Sequence, residues 1–281
     1  MNLRMSPSQP IGVFDSGLGG LSVLKEVEKL LPYEDVLFVG DTARQPYGPQ
    51  TVEKVRQYTL EITAYLVKQG AKVVIIACNT ASVAGREAAQ QAFPQIPVFG
   101  MISAGVRGAL RHTKTGRIGV WGTRVTIESN AHKDMLLKQQ PDLQVEGVSC
   151  PDLLRLAEKG KIDDVDHLTQ LAKLYYEPLA SLQPDSLILG CTDFPCVRDI
   201  IDRSIPPTVT VIDPGEEVVL DLKHWLFDKQ LQKPAGGQRG HTIYRVTGDD
   251  IDNFTTFTKR YMNTEDVDVR SLTLEPFTRP D

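Results

Sequence analysis

This sequence predicts an α/β fold built from two related halves, each holding a largely parallel sheet. Three observations carry that prediction. Short β-branched runs alternate with longer amphipathic stretches along most of the chain. The segment Ile11-Gly12-Val13-Phe14-Asp15-Ser16-Gly17 is echoed 107 residues later by Ile118-Gly119-Val120-Trp121-Gly122-Thr123-Arg124. A second segment, Val74-Ile75-Ile76-Ala77-Cys78-Asn79-Thr80, is echoed 113 residues later by Leu187-Ile188-Leu189-Gly190-Cys191-Thr192-Asp193. The echoes fall in the same order, as two related halves require.

Taken in order, strands are expected at Ile11–Phe14, Val36–Val39, Val73–Ala77, Val98–Phe99, Ile118–Trp121, Val145–Val148, Leu187–Leu189, Val209–Ile212 and Thr242–Val246. Each is a short apolar run of the kind that a buried parallel strand shows. Helices are expected near 20–30, 51–69, 81–92, 103–112, 125–139, 151–159, 164–182, 196–203, 215–229 and 250–262. The second of these follows Pro49 and starts at Thr51, with Glu53 in its first turn, a good start signal. Lys233–Gly240 reads as a surface loop from its Pro and Gly, and 264–281 as a loosely held tail.

A chain of 281 residues buries a substantial core in one large or two smaller domains. The net charge of −5 leaves no basic field for nucleic acid or an anionic membrane, so neither is an expected partner. No apolar run reaches the roughly 18 residues that span a bilayer. Met1 to Pro10 lacks the apolar core of a signal peptide, so a cytoplasmic protein is expected. In that compartment Cys78, Cys150, Cys191 and Cys196 are expected to be free thiols. The Cys191 and Cys196 spacing matches no common zinc site, and no metal is expected.

Cys78 and Cys191 stand where an apolar strand ends and a helix begins. Ligands of open α/β sheets bind beyond the carboxyl ends of strands. Backbone N–H groups at a helix start favour an anion, so the thiol pKa is expected to fall there. Asn79, Thr80 and Thr192 add hydrogen-bond donors beside it. A free cysteine often only fills space in a core, and that reading suits Cys150 and Cys196. It suits less well two cysteines at equivalent strand ends.

Two thiols facing one pocket suit racemisation at Cα, which needs a base on one face of the carbon and an acid on the other. A single nucleophilic cysteine wants a histidine partner. None of the five histidines lies at an expected strand end. Asp15, at the end of the first strand, can accept a proton from a neighbouring thiol. Gly17-Leu18-Gly19-Gly20 allows a ligand close to the backbone, or is an ordinary strand-to-helix turn; it is no dinucleotide fingerprint. Tyr47, between Pro46 and Gly48, either presents backbone or phenol donors to a substrate or packs in a rigid turn.

Asp15-Ser16-Gly17-Leu18-Gly19-Gly20, Pro46-Tyr47-Gly48, Ala77-Cys78-Asn79-Thr80, Gly122-Thr123, Gly190-Cys191-Thr192 and Asp213-Pro214-Gly215 together resemble the glutamate racemase family. The resemblance implies two pseudo-symmetric open parallel-sheet domains with the active site between them. Residues 1–102 plus 213–281 would form the first domain and 103–212 the second. It implies cofactor-independent interconversion of L- and D-glutamate, the D form serving peptidoglycan synthesis, with Cys78 and Cys191 as the thiol pair. Asp15 would assist Cys78, and Glu158 would stand near Cys191. Asp15, Ser16, Tyr47, Gly48, Asn79, Thr80, Thr123, Thr192 and its neighbour Asp193 would hold the substrate. The family usually has histidine where this chain has Asp193. An aspartate disfavours a neighbouring thiolate by like charge but can take the thiol's proton, so activity is expected to survive with reduced or asymmetric rates. A racemase of another acidic amino acid, and a ligand-binding homologue that turns over poorly, stay open, as does assembly as a homodimer.

Overall fold

A computed structural model of the chain describes residues 5–158 and 163–278. In chain order the first elements are β1 (Ile11–Asp15), α1 (Leu21–Leu30), β2 (Val36–Gly40), α2 (Val52–Lys68), β3 (Val73–Ile76), α3 (Asn79–Ala92), β4 (Val98–Gly100) and α4 (Met101–His112). There follow β5 (Arg117–Gly122), α5 (Arg124–Glu128), α6 (Ala131–Gln139), β6 (Gln144–Ser149), α7 (Pro151–Glu158), α8 (Val165–Tyr176), β7 (Ser186–Gly190), α9 (Arg198–Ser204) and β8 (Thr210–Ile212). The chain closes with α10 (Pro214–Asp228), β9 (Thr242–Val246), α11 (Ile251–Met262) and β10 (Val269–Ser271).

The strands form two sheets, ordered β10-β9-β2-β1-β3-β4 and β6-β5-β7-β8, and every pairing is parallel. The run β2-β1-β3-β4 matches β6-β5-β7-β8 strand for strand. β1 therefore corresponds to β5 and β3 to β7, the same two pairs that echo each other in sequence. Strands β1, β2, β3 and β7 are buried along their whole length because helices cover both faces of each sheet. One core of the first sheet joins Leu24 of α1, Leu222 of α10 and Phe254 of α11. The other joins Ile62 and Leu66 of α2 to Ala81 of α3. The second sheet is packed by α7, α8 and α9 on one side and by α4 and α6 on the other.

Helix α4 serves both sheets: Met101 and Ala104 lie in a core of the first, Val106 and Ala109 in a core of the second. Its close seat requires glycine. A Cβ on Gly108 would stand 2.6 Å from Ile212 Cγ2 and 3.0 Å from Glu217 Cγ.

All nine expected strands are present, and three expectations need correction. The helix expected over 125–139 is two helices, broken at Asn130, whose φ of 55° is left-handed. The helix expected over 164–182 ends at Tyr176 and tightens into a 3-10 turn at Glu177–Leu179, where Pro178 denies the backbone a donor. The stretch expected to be a loose tail contributes β10. Beyond it Leu272 N donates to Val246 O at 2.7 Å, Leu272, Leu274 and Phe277 pack on the α2–α3 core, and the Phe277 ring centroid lies 5.8 Å from that of Phe93. Its apolar residues are too few and too spaced to show a period, and what holds them is a surface made elsewhere in the chain.

Candidate active site

Asp15 at the end of β1, Cys78 just beyond β3 and Cys191 just beyond β7 lie at the carboxyl ends of their strands, and the two cysteines meet at one narrow cavity between the two halves. The first half lines it with Ser16, Tyr47, Gly48, Cys78, Asn79 and Thr80; the second adds Thr123, Leu154, Cys191, Thr192 and Asp193. Of the expected site residues, Ser16, Tyr47, Gly48, Cys78, Asn79, Thr80, Thr123, Cys191, Thr192 and Asp193 line this cavity, and Asp15 is tied to it through Thr192.

Cys78 is the N-cap of α3, and its Sγ accepts from Ala81 N at 3.5 Å. The helix start lowers the thiol's proton affinity as the sequence suggests, but it is outweighed, and the net shift runs the other way. Burial, then the charge of Asp15, pushes the Cys78 pKa up to about 12 against the smaller opposing pull of backbone and Ser16 hydrogen bonds. Desolvation wins because a helix terminus supplies only about 1 kcal/mol, whereas burying a charge without a partner costs several. Asp15 is itself buried. Its carboxylate accepts from Gly17 N at 2.9 Å and from Thr192 Oγ1 at 3.1 Å, yet burial raises its pKa. A carboxyl with raised proton affinity beside a thiol is suited to take the thiol's proton.

Cys191 has a comparable partner: its Sγ donates to Asp193 Oδ2 at 3.4 Å, and both side chains are buried. Each thiol of the cavity therefore has a carboxylate beside it. Asn79 lines the cavity with its amide nitrogen and oxygen both buried and without a hydrogen-bond partner among the described residues. Such a group costs free energy unless a ligand completes it. Thr80 Oγ1 and Thr123 Oγ1 meet at 3.0 Å across the boundary between the halves, and Thr123 also caps α5 by accepting from Thr126 N at 3.2 Å. Tyr47 is buried, and its phenol donates to the Asp41 carboxylate. The phenol is thus committed to the protein, although Tyr47 and Gly48 both line the cavity.

Glu158 ends α7, and its side chain lies outside the described residues. Leu154, on the same helix, was not singled out from sequence; an apolar residue on an amphipathic helix reads as core, and nothing local marks it as a cavity wall. Cys150 is buried with the second-sheet core and Cys196 packs against the first, so both keep the packing role expected of them. Among the described residues no group of three or more His, Cys, Asp or Glu is placed to hold a metal ion, and no helix is long and apolar enough to cross a membrane.

Residues 11–221 match the family model of Asp/Glu/hydantoin racemases. A glutamate racemase of Geobacter metallireducens is 39% identical over 270 residues, covering 96% of this chain and 98% of the relative. A crystal structure of a glutamate racemase isoform from Bacillus anthracis superposes with a TM-score of 0.89 at 34% identity, covering 94% of this chain and 97% of the other. The glutamate racemase of Francisella tularensis in complex with D-glutamate superposes with a TM-score of 0.87 at 30% identity, covering 96% and 100%.

Proposed function

The chain belongs to the Asp/Glu/hydantoin racemase family, and on that premise we propose that it interconverts L- and D-glutamate with two thiols as acid and base. The observation that carries the reading is the placement of Cys78 and Cys191 at equivalent strand ends of the two halves, lining one cavity, each beside a buried carboxylate. The D-glutamate bound by the Francisella tularensis relative supports the substrate assignment.

One thiolate removes the α-proton while the opposite thiol donates a proton to the other face of the carbon. The roles reverse for the other enantiomer. In the resting cavity Cys78 is protonated, so substrate binding has to create the thiolate. The α-ammonium of glutamate supplies the compensating charge, and Asp15 receives the Cys78 proton, as Asp193 does for Cys191. Ser16, Asn79, Thr80, Thr123 and Thr192, with the backbone of Tyr47 and Gly48, bind the amino-acid head and side-chain carboxylate. The unpartnered amide of Asn79 supports this role. Glu158 is assigned to the Cys191 side. The reaction needs no cofactor in this scheme.

The division into residues 1–102 with 213–281 and 103–212 is supported by the strands: the first sheet draws on residues 11–100 and 242–271, the second on 117–212. D-glutamate is a building block of peptidoglycan, so the product feeds cell-wall synthesis. Four free cysteines suit the reducing cytoplasm where that synthesis begins.

Each glutamate enantiomer, and aspartate beside it, is incubated in deuterated water and read by mass spectrometry and chiral chromatography. Deuterium at Cα with loss of optical purity is expected for glutamate. Cys78→Ser and Cys191→Ser are each expected to lower racemisation by roughly 10³-fold or more while glutamate still binds. Racemisation at the wild-type rate in either variant would remove the two-thiol mechanism.

A further inference from the structure

We infer that the Gly19–Ser22 turn of the first half is the seat that positions the second thiol, with Ser22 and Gly19 as positioning residues for Cys191. The inference rests on the racemase reading above and goes beyond the residues that line the cavity.

Two independent observations place the turn there. Ser22, in the first turn of α1, is buried, and its Oγ donates to the backbone carbonyl of Thr192 at 3.1 Å. Thr192 lies between Cys191 and Asp193, so this bond ties the first half to the backbone of the second thiol's own loop. Separately, a Cβ on Gly19 would stand 2.8 Å from Thr192 Oγ1 and 2.8 Å from Asp193 Oδ1. The turn and the loop are in direct contact, and a Cβ at position 19 would force the Thr192 and Asp193 side chains to shift. Ser22 N in turn donates to Gly19 O at 2.9 Å, which links the two residues within the turn.

The consequence is geometric. Cys191 and its carboxylate partner Asp193 sit on the second half, while Asp15 and Cys78 sit on the first. For the thiols to face opposite sides of one carbon, the two halves must hold a fixed mutual register. Thr192 sets it from its side chain, which donates to Asp15 Oδ1 at 3.1 Å. Ser22 sets it from the backbone of the same residue. Loosening the seat displaces Cys191 relative to the substrate, while Cys78 keeps its bond from Ala81 N and Asp15 its bond from Gly17 N; on that side only the Thr192 bond to Asp15 is weakened.

A displaced thiol has a signature that a general loss of fold lacks. The equilibrium constant between enantiomers is 1, so kcat/KM must stay equal in the two directions whatever the variant. Asymmetry between the two proton transfers shows instead in the primary isotope effects measured with α-deuterated L- and D-glutamate. Ser22→Ala is expected to lower kcat/KM about fivefold, the loss of one neutral hydrogen bond. It should also change the ratio of the two isotope effects in the same sense as Asp193→Asn and in the opposite sense to Asp15→Asn. Gly19→Ala is expected to act in the same sense with a loss of at least about tenfold, because its Cβ pushes on both Thr192 and Asp193. Thermal melting of each variant is measured beside it. Lost activity with an unchanged isotope-effect ratio, or a Ser22→Ala kcat/KM within twofold of wild type, overturns the inference. If Gly19→Ala does not fold, the ratio in Ser22→Ala alone decides. A wild-type protein that does not racemise glutamate overturns the functional reading instead, so the two failures are told apart.

Discussion

The resting state of Cys78 is open to direct titration. With the pKa pushed up to about 12, the thiolate fraction at pH 8 is on the order of 10⁻⁴, a free-energy gap of about 5 kcal/mol. That gap already includes the pull of the backbone N–H groups at the helix start, so the compensating charge must come from elsewhere. An ammonium about 4 Å away, at an effective dielectric near 20, contributes roughly 4 kcal/mol, close to what is missing. The thiolate should therefore form when the substrate's ammonium enters and not before. Alkylation of Cys78 by iodoacetamide, followed by peptide mass mapping, should rise about tenfold per pH unit from pH 7 to 10 with no plateau. Asp15→Asn deletes the second-largest cause of the shift, so its alkylation at pH 8 should be faster than wild type. A plateau below pH 9 in unliganded wild type would refute the reasoning, since it would place a stable thiolate in the empty cavity.

Other perturbations test other parts of the molecule. Asp193→His replaces a like charge beside the second thiol with a group that favours its thiolate, and turnover should rise; unchanged or lower turnover in the racemisation assay counts against that electrostatic account. Asp213 caps α10, and burial raises its pKa to about 6. The folded state thus holds this proton more tightly than the unfolded state, so its contribution to stability is greatest below about pH 4 and is lost as pH rises through 6. Asp213→Asn, which can still cap the helix, should remove roughly 1.4 kcal/mol of pH dependence between urea unfolding at pH 5 and at pH 8. The Lys72 ammonium is fully buried and donates to Glu34 Oε2 at 2.6 Å, Pro7 O at 2.8 Å and Leu231 O at 2.9 Å. Glu34→Ala strands that charge and should cost about 3–5 kcal/mol, read as a melting temperature lower by roughly 10 °C.

Much of this architecture was legible in the residues. Parallel strands covered on both faces are continuous apolar runs, so β1, β3, β5 and β7 announce themselves, and their echoes reveal the repeat that the two sheets then display. The polar residue after each strand, Asp15, Cys78, Thr123 and Cys191, follows from the rule that sites form beyond strand ends, which is a local pattern. Helix α2 likewise begins where expected, with Thr51 Oγ1 accepting from Lys54 N at 3.3 Å.

What tertiary structure alone decided is everything that depends on distance between segments remote in sequence. The direction of the Cys78 shift is one case: a helix start argues for a lower pKa, and only burial beside Asp15 reverses it. The engagement of the Tyr47 phenol by Asp41 is another, and so is the contact of Leu154 with a cavity it does not advertise. β10 and the packed tail have too weak a pattern to be seen until β9 and the α2–α3 surface offer a place for them. The bond from Ser22 to the carbonyl of Thr192 spans 170 residues. Periodicity and turn chemistry are written along the chain because they are local properties of the backbone. Desolvation, charge coupling and register between halves exist only once the chain has folded and brought its distant parts into contact.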